Sequence, residues 1–194
     1  MPKVTAEYRE ARRDEIAHAA MRCLARNGFA NTSMADIIAE AEVSAGAIYS
    51  HFTGKADIAR HVAGIVMDSN EAELTAFAAG HGDALSPAEI IGFVLERMTR
   101  SGVETSLLLQ IWAEATVDDE LHGMLQETVG RLRRAYVLAL RPWLADNGLA
   151  DDDLALRRVV TTMLTLSQGF IVHTALFGGS DPREYLATAG MLLR

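Results

Sequence analysis

The hydrophobic positions of this chain recur at helical spacing along most of its length, and strand-type alternation is nearly absent. In the first segment Ile16, Ala20 and Leu24 are each four residues apart, which puts them on one face of a helix. Thr5 is the predicted cap of that helix, and Gly28 suits the left-handed position that follows a helix end. The pattern therefore predicts a long first helix with one buried face.

Two short helices and a long one are predicted next. Ser33, with an acidic residue three positions later, has the spacing of a capping box and marks the start of the second helix. Ser44 marks a third helix that reaches about His51. After the break at Thr53-Gly54, apolar residues at helical spacing predict a fourth helix over 55–77.

Five further helices are predicted in the remainder of the chain. Ser86-Pro87 followed by an acidic residue is a strong helix start, whereas Pro142 should kink or end the helix that contains it. The predicted later helices cover 87–101, 104–116, 119–147, 152–177 and 182–193. The predicted fold class is all-α with about nine helices. A three-helix N-terminal domain over 1–54 is expected to precede a larger helical domain over 55–194.

Composition favours a globular protein with a sizeable core, since 49% of the residues are hydrophobic. Cys23 is the one cysteine, so no intrachain disulfide can form, which suits a reducing cytoplasm. The N-terminal stretch is charged, unlike a signal peptide. Charged or polar residues interrupt the longest apolar runs before the ~20 residues that span a bilayer. We therefore expect a cytoplasmic protein with no membrane partner.

The formal net charge of −8 is unevenly distributed. Residues 1–60 contain eight Lys and Arg and eight Asp and Glu, whereas the rest of the chain contains ten and eighteen. The first third is therefore neutral and the remainder is acidic. This split is compatible with a DNA-binding end on an acidic body, and equally with chance.

The segment VSAGAIYSHFTGK, residues 43–55, gives the third predicted helix a thin N-terminal end. A two-residue turn joins this helix to the second, which is typical of the helix-turn-helix motif. In that motif the second helix lies in the major groove of DNA. The small residues at 45–47 would let the backbone approach the duplex, and Tyr49 and His51 can reach backbone phosphates.

At these positions the chain resembles the TetR-type (TetR/AcrR) family of transcriptional regulators. The resemblance covers about Arg12 to Ile65 and rests on Gly28-Phe29, Thr32-Ser33, Ile37-Ile38, Val43-Ser44, Gly46, Ile48-Tyr49, His51-Phe52 and Lys55. It implies a homodimer that binds palindromic operator DNA and usually represses transcription until a small-molecule effector binds the larger domain. The predicted DNA-binding residues are Thr32, Ser33, Ser44, Ala45, Gly46, Ala47, Tyr49, Ser50, His51 and Lys55.

Three positions depart from the family pattern. Glu42 occupies a turn position where glycine is common, so a non-glycine residue is expected in the left-handed region at a cost of ~1 kcal/mol. Ala47 replaces a common threonine, and Gly54 stands where a capping side chain is common. Few side chains near the groove can then bond a base edge, so recognition is expected to depend on DNA shape.

The resemblance implies an effector pocket in the larger domain, which we expect in the region 87–177 for a small, largely apolar molecule. The predicted lining residues are Phe93, Met98, Leu109, Trp112, Tyr136, Met163, Phe170 and His173. The candidate polar anchors are Gln110, Tyr136, Gln168 and His173. Aromatic and methionine residues at helical spacing also form ordinary cores, so core packing is the alternative for each. We expect Pro142 to open space for the ligand by bending its helix.

The last two predicted helices carry few charges and are the expected dimer interface. The apolar residues assigned to that interface are Val160, Leu164, Ile171, Leu186 and Leu193. Gly169 and Ala175 are small enough to let helices approach closely.

No catalytic constellation, phosphate-binding glycine loop or zinc-ligand spacing appears, so we expect no enzyme activity, metal or cofactor. Glu15 and His18 have the Glu-x-x-His spacing of di-iron bundles, but the other ligands of such a site are missing, and a solvated helix face explains them. The alternative functions are an all-α enzyme and a helical interaction module without DNA binding. An interaction module would need neither the thin helix nor Lys55.

Overall fold

The computed structural model describes residues 6–179 and 181–189, and this part of the chain is helical without a strand. Its helices are α1 (Ala6–Asn27), α2 (Met34–Glu40), α3 (Ala45–Tyr49), α4 (Lys55–Gly80), α5 (Pro87–Arg100), α6 (Thr105–Glu114), α7 (Asp119–Asp146), α8 (Asp153–Phe177) and α9 (Pro182–Ala189). The predicted all-α class is confirmed. Thr5 and Leu193 lie outside the described residues.

The headpiece, α1 to α3 with the first turns of α4, has its own apolar core. Ile16, Ile37, Ile48 and Phe52 come from different segments and are almost fully buried against one another. They fix α1, α2 and α3 as one unit. Ile58 of α4 completes this core, so α4 belongs to the headpiece at its start and to the rest of the molecule beyond.

The body, α5 to α9 with the remainder of α4, encloses a larger core. Its fully buried residues include Ile90, Ile91, Leu95, Tyr136, Leu140, Met163 and Phe170. A third cluster joins the two parts, since Leu24 and Phe29 of the headpiece pack with Leu107 and Ile111 of α6. Headpiece and body are therefore in apolar contact through α6 as well as connected through α4.

The predicted helix starts are confirmed by hydrogen bonds. Ser33 and Ser86 form capping boxes with Asp36 and Glu89, and Ser44 accepts a bond from a backbone N–H of α3. These bonds stabilise the ionised carboxylates, so the pKa of Asp36 and the pKa of Glu89 lie below their ordinary values. Each short element of the headpiece is thus started by its own side chains.

Two residues with positive φ shape the headpiece turns. Gly28 has φ +83° directly after α1, and Glu42 has φ +52° directly after α2. Glycine adopts this region freely, whereas the Cβ of Glu42 strains it. The left-handed conformation expected at Glu42 is confirmed.

Pro142 is exposed on the surface of α7 and does not line the cavity that is described below. α7 runs through Pro142 to its end at Asp146. Tyr136 is fully buried and Trp143 packs against the body core. The prediction that Pro142 opens the ligand space is therefore wrong.

α8 is long and apolar enough to cross a membrane by length and composition alone. In this structure Val160, Met163 and Phe170 on one side of the helix are part of the body core. The exposed side carries Arg157 and Arg158. α8 is accordingly a core helix of the body.

Candidate nucleic-acid interface and ligand cavity

The turn between α2 and α3 sets the orientation of α3 relative to α2 and the headpiece core. Glu42 makes the turn, and the N–H of Val43 donates a 3.3 Å bond back to the Ile38 carbonyl. Val43 then packs against the headpiece core together with Ile48. One face of α3 is thereby held inward, and the opposite face is left on the surface.

The outward face of α3 carries small side chains at its N-terminal end, and packing within the headpiece does not require them. Ala45, Gly46 and Tyr49 are exposed, and Tyr49 keeps 55% of its surface accessible. A Cβ added at Gly46 would meet nothing within 4 Å, so no contact in the headpiece requires glycine there. The missing side chain leaves room on the surface, which is what close approach to a duplex needs.

The serine hydroxyls of this surface are already used locally. Ser33 bonds Asp36, and Ser44 accepts from the Ala47 N–H at 3.2 Å. Ser50 donates to the Ala47 carbonyl at 2.7 Å. The side chains of Tyr49 and His51, by contrast, bond no other described residue, so they are the free polar groups beside α3.

Two predicted phosphate ligands are directed inward instead, and this corrects their assignment. Thr32 is 2% exposed and its hydroxyl donates to the Gly28 carbonyl at 2.7 Å, so this side chain helps to close the end of α1. Lys55 is half-buried, and its Nζ donates to the Phe29 carbonyl at 2.8 Å while it lies 4.8 Å from the centre of the Phe29 ring. Both side chains fasten the loop after α1.

Most cations of the headpiece are also paired. Glu40 of α2 accepts bonds from Arg26 at 2.8 Å and from Arg22 at 3.2 Å, which ties α2 to α1 and lowers the pKa of Glu40. Arg13 lies over the Phe52 ring, 4.7 Å from its centre. Paired cations neutralise DNA phosphates less well, which favours recognition by fit and by neutral donors.

One group of possible metal ligands links α1 and α4. Glu10, Asp14 and His61 bring three ligand atoms within 4.8 Å of one another. His61 Nε2 is 2.8 Å from Asp14 Oδ1, and this bond by itself joins the two helices. The Glu-x-x-His pair identified in the sequence does not take part, since His18 Nδ1 contacts the Asp14 backbone carbonyl at 2.7 Å.

A cavity of about 160 Å³ lies where the headpiece meets the body. Its walls come from α4 to α8, and Met21 of α1 closes the end next to the headpiece. The α4 wall is a single helix face, with the lining residues Ala59, Val62, Ala63, Val66, Met67 and Asn70. Among the described lining residues no side chain is charged. The cavity is suited to an apolar guest.

Two of the predicted lining residues, Met98 and Trp112, line this cavity. The prediction needs correction for Phe93, Leu109, Tyr136, Met163, Phe170 and His173, which do not line it. Tyr136, Met163 and Phe170 are fully buried in the body core instead.

The remaining assignments fail for local reasons. Phe93 stacks on Phe77 with ring centres 4.7 Å apart, and His173 lies on the surface beside Phe177. Burial raises the pKa of Tyr136, whose hydroxyl is bonded to Ser167 at 2.8 Å. The sequence analysis missed the α4 wall, although one signal was present. Asn70 interrupts the apolar face of α4 at a helical spacing.

Gln110 of α6, a predicted polar anchor for the ligand, bonds the headpiece instead. Its Oε1 accepts a 2.8 Å bond from the backbone N–H of Phe29 in the headpiece. The adjacent Ile111 and Trp112 line the cavity. A shift of α6 at the cavity would therefore displace or break the hydrogen bond to the loop between α1 and α2.

Comparison with known proteins agrees with this architecture. Residues 16–62 match the family model of bacterial regulatory proteins, tetR family, and residues 88–193 match that of the BetI-type transcriptional repressor, C-terminal. An uncharacterized HTH-type transcriptional regulator of Bacillus subtilis, YfiR, is 36% identical over 61 residues, which span 31% of this chain and 30% of that protein.

Solved structures share the fold over nearly the whole chain. A protein from Syntrophomonas wolfei assigned to the TetR family superposes with a TM-score of 0.79 at 16% identity, covering 94% of this chain and 92% of that one. A TetR transcription regulator from Haloarcula marismortui gives a TM-score of 0.71 at 18% identity, covering 94% of both chains. The fold and the two matching family models identify this chain as a member of the TetR family of transcriptional regulators, which are DNA-binding proteins and not enzymes.

Proposed function

We propose that this protein is a homodimeric, cytoplasmic repressor whose α3 helices enter the major grooves of a palindromic operator, and which a small apolar effector releases from DNA. The division into a DNA-binding part over 1–54 and an effector-binding and dimerisation part over 55–194 belongs to the same proposal. The observation that carries it is the position of the cavity. Its walls include Met21 of the headpiece as well as residues of α4 and α6.

Two paths lead from the cavity to α3. α4 lines the cavity with Val62 and contributes Ile58 to the headpiece core next to α3. α6 lines it with Ile111 and bonds the headpiece through Gln110. An effector larger than about a benzene ring, which an engineered cavity of ~150 Å³ accommodates, would have to move these helices apart. Such a movement changes the position of α3 relative to the body.

On DNA, we assign the close approach to Ala45, Gly46 and Ala47, and phosphate contacts to Tyr49 and His51. Ser33, Ser44 and Ser50 can accept or donate further bonds only in addition to their local ones. Two headpieces are needed because two-fold regulators read half-sites that lie a helical turn or a multiple of it apart.

The dimer surface that we propose differs from the one expected from sequence. Val160, Leu164 and Ile171 are buried inside the protomer, so they are unavailable to a second copy. Gly169 faces inward too, because a Cβ there would lie 2.8 Å from the hydroxyl of Tyr185 in α9.

We assign the interface to the exposed side of α8, which carries Arg157 and Arg158 near its start and no Asp, Glu, Lys or Arg from there to Phe177. Leu154 and Leu176 are 50% and 59% exposed, and Phe177 is 75% exposed. Between them the exposed residues include Thr161, Thr165 and Gln168. Leu154 and Leu176 lie on one face of α8, Phe177 extends the apolar surface at its end, and exposed apolar groups of this kind mark an interaction surface.

The dimer is tested by light scattering at micromolar concentration. We expect a dimer for the unchanged protein and a monomer for Leu176→Glu combined with Phe177→Glu. Val117→Glu is the matched control, since Val117 is 84% exposed in the turn between α6 and α7 and is not part of α8. A monomeric unchanged protein would rule out the assignment.

DNA binding and release are tested by gel-shift titration on the DNA upstream of the protein's own gene. Tyr49→Ala should weaken binding, whereas Tyr8→Ala in α1 serves as the exposed-tyrosine control.

An effector that weakens DNA binding by some factor must itself bind the operator complex more weakly by the same factor, with a coupling typically of 1–3 kcal/mol. Equal effector affinity with and without operator would exclude release by this route.

A further inference from the structure

Asn70 and Gln168 are the two amide side chains among the described residues that line the cavity, and Asn70 is the buried one. It lies on the face of α4 that lines the cavity, one turn beyond Val66, and only 8% of its surface is exposed. Its amide makes no hydrogen bond to any described residue. The amide nitrogen and oxygen keep some accessible surface, so in an otherwise apolar wall they can bond a polar group that enters the cavity.

The other polar groups of the cavity are already engaged or are more exposed. The Ser167 hydroxyl donates to the Met163 carbonyl and contacts Tyr136, and the Thr128 hydroxyl donates to the Met124 carbonyl at 2.9 Å. Ser101 likewise donates to a backbone carbonyl at the end of α5, and Gln168 lies on the exposed side of α8. Asn70 is therefore the group best placed to orient a bound molecule.

The charge of the lining restricts the ligand further. No acidic or basic side chain of the described residues lines the cavity, so a charged ligand would lose its hydration without gaining a counter-ion. An amide offers one acceptor oxygen and two N–H donors, and it can therefore serve a neutral hydroxyl, carbonyl or amide group.

We propose that Asn70 anchors the single polar group of an uncharged, mostly apolar effector in this cavity. The proposal rests on the proposed effector-binding function and names the chemical class of the ligand. It excludes carboxylates, phosphates and ammonium compounds as ligands held entirely within the cavity.

Probes of one size separate these properties. Phenol, toluene, benzoate and benzylammonium share one ring and differ in the polar group, and a ring of this size suits the volume of the cavity. Binding is followed by NMR of the full-length protein labelled at the methionine methyl groups. Met21, Met67, Met98 and Met124 line the cavity, whereas Met163 lies in the body core and reports non-specific effects.

We expect phenol to bind about three- to tenfold more tightly than toluene, as one net hydrogen bond allows. Benzoate and benzylammonium should bind at least about tenfold more weakly than phenol. Asn70→Leu should abolish the preference for phenol while toluene still binds. Thr128→Val, which removes a hydroxyl that already has a partner, should leave the preference unchanged.

The outcomes distinguish two failures. Equal binding of phenol and toluene to the unchanged protein, with shifts at the cavity methionines, would overturn the role of Asn70 and leave the cavity as an effector site. If no probe shifts the signals of any of the four cavity methionines, the effector site itself is overturned.

A stability measurement gives an independent readout. Replacing an amide without a partner by leucine should leave the Tm unchanged or raise it by about 2–4 °C. A clear fall in the Tm of Asn70→Leu would show that the amide is structural and would overturn the proposal.

Discussion

The side chain of Gln110 in α6 accepts a 2.8 Å hydrogen bond from the backbone N–H of Phe29, 81 residues earlier in the chain. The backbone carbonyl of Phe29 accepts a second hydrogen bond, from Lys55 Nζ, at 2.8 Å. Phe29 itself is buried in the cluster that joins headpiece and body. The loop after α1 is therefore held by the body on one side and by the start of α4 on the other.

Gln110→Ala should loosen this loop. The Phe29 N–H would lose its acceptor, so we expect the free energy of unfolding to fall by about 1–2 kcal/mol and the Phe29 amide to exchange faster with solvent. Urea denaturation and hydrogen exchange measure the two effects. Gln126→Ala, an exposed glutamine of α7 that bonds His122, is the control and should change neither. An unchanged Phe29 exchange rate would contradict the coupling.

Lys55→Ala separates a structural lysine from a phosphate ligand. The Phe29 carbonyl would lose a charged donor, and the free energy of unfolding should fall by about 1–3 kcal/mol. Each phosphate contact contributes about 0.9 to the slope of log K against log salt. Because Nζ is held by Phe29, the slope for operator binding should change by much less than this. A full one-contact change in slope would restore Lys55 to the phosphate ligands.

Glu42 stores backbone strain in the turn of the helix-turn-helix, at φ +52°. Glu42→Gly should remove that strain and stabilise the protein by up to about 1 kcal/mol, partly offset by the entropy that glycine loses on folding. Glu42→Val should destabilise it, because a β-branched residue tolerates this region poorly. Thermal denaturation of both variants checks the order, and equal stabilities would mean that the turn relaxes to another conformation.

Gly169 and Tyr185 fit together at the contact of α8 with α9. The Tyr185 hydroxyl donates to the Leu166 carbonyl at 2.9 Å, and a Cβ at position 169 would lie 2.8 Å from that hydroxyl. Gly169→Ala should therefore lose this bond and cost about 1–2 kcal/mol. In a Tyr185→Phe background the same change should be neutral or stabilising, as expected of alanine for glycine in a helix. Additive effects of the two changes would contradict the contact.

Glu89 should make part of the stability depend on pH. Bonds from the Ser86 hydroxyl and then from the Ser86 N–H hold the pKa of Glu89 below its ordinary value of 4.5. A carboxylate with a lowered native pKa contributes its stability fully above that ordinary value, and the contribution is lost as pH falls through the native pKa.

Glu89→Ala is accordingly expected to lower the free energy of unfolding by about 0.5–1 kcal/mol at pH 7 and by less near pH 3. Glu89→Gln retains a capping side chain without a charge, so its deficit at pH 7 should be smaller than that of Glu89→Ala and should also shrink near pH 3. Denaturation series at both pH values measure the difference. A deficit in the alanine variant that stayed constant with pH would argue against the ionised cap.

The sequence by itself determined the features that depend on neighbours along the chain. The capping pairs Ser33–Asp36 and Ser86–Glu89, the left-handed Gly28 and the helical spacing of apolar residues are local, and they define the helices and the DNA-binding motif. The left-handed conformation at Glu42 was expected from the family resemblance, because glycine is common at that turn position.

Only the tertiary structure decided which side chains are free and which are engaged. Met98 lines the cavity and Met163 fills the core, although both occupy apolar positions of helices. Lys55 and Gln110 both bond Phe29, which lies 26 and 81 residues away from them in the chain, so neither partner could be inferred from immediate neighbours. Helical periodicity identifies an apolar face but not the surface that it meets, because that surface is built by segments distant in sequence.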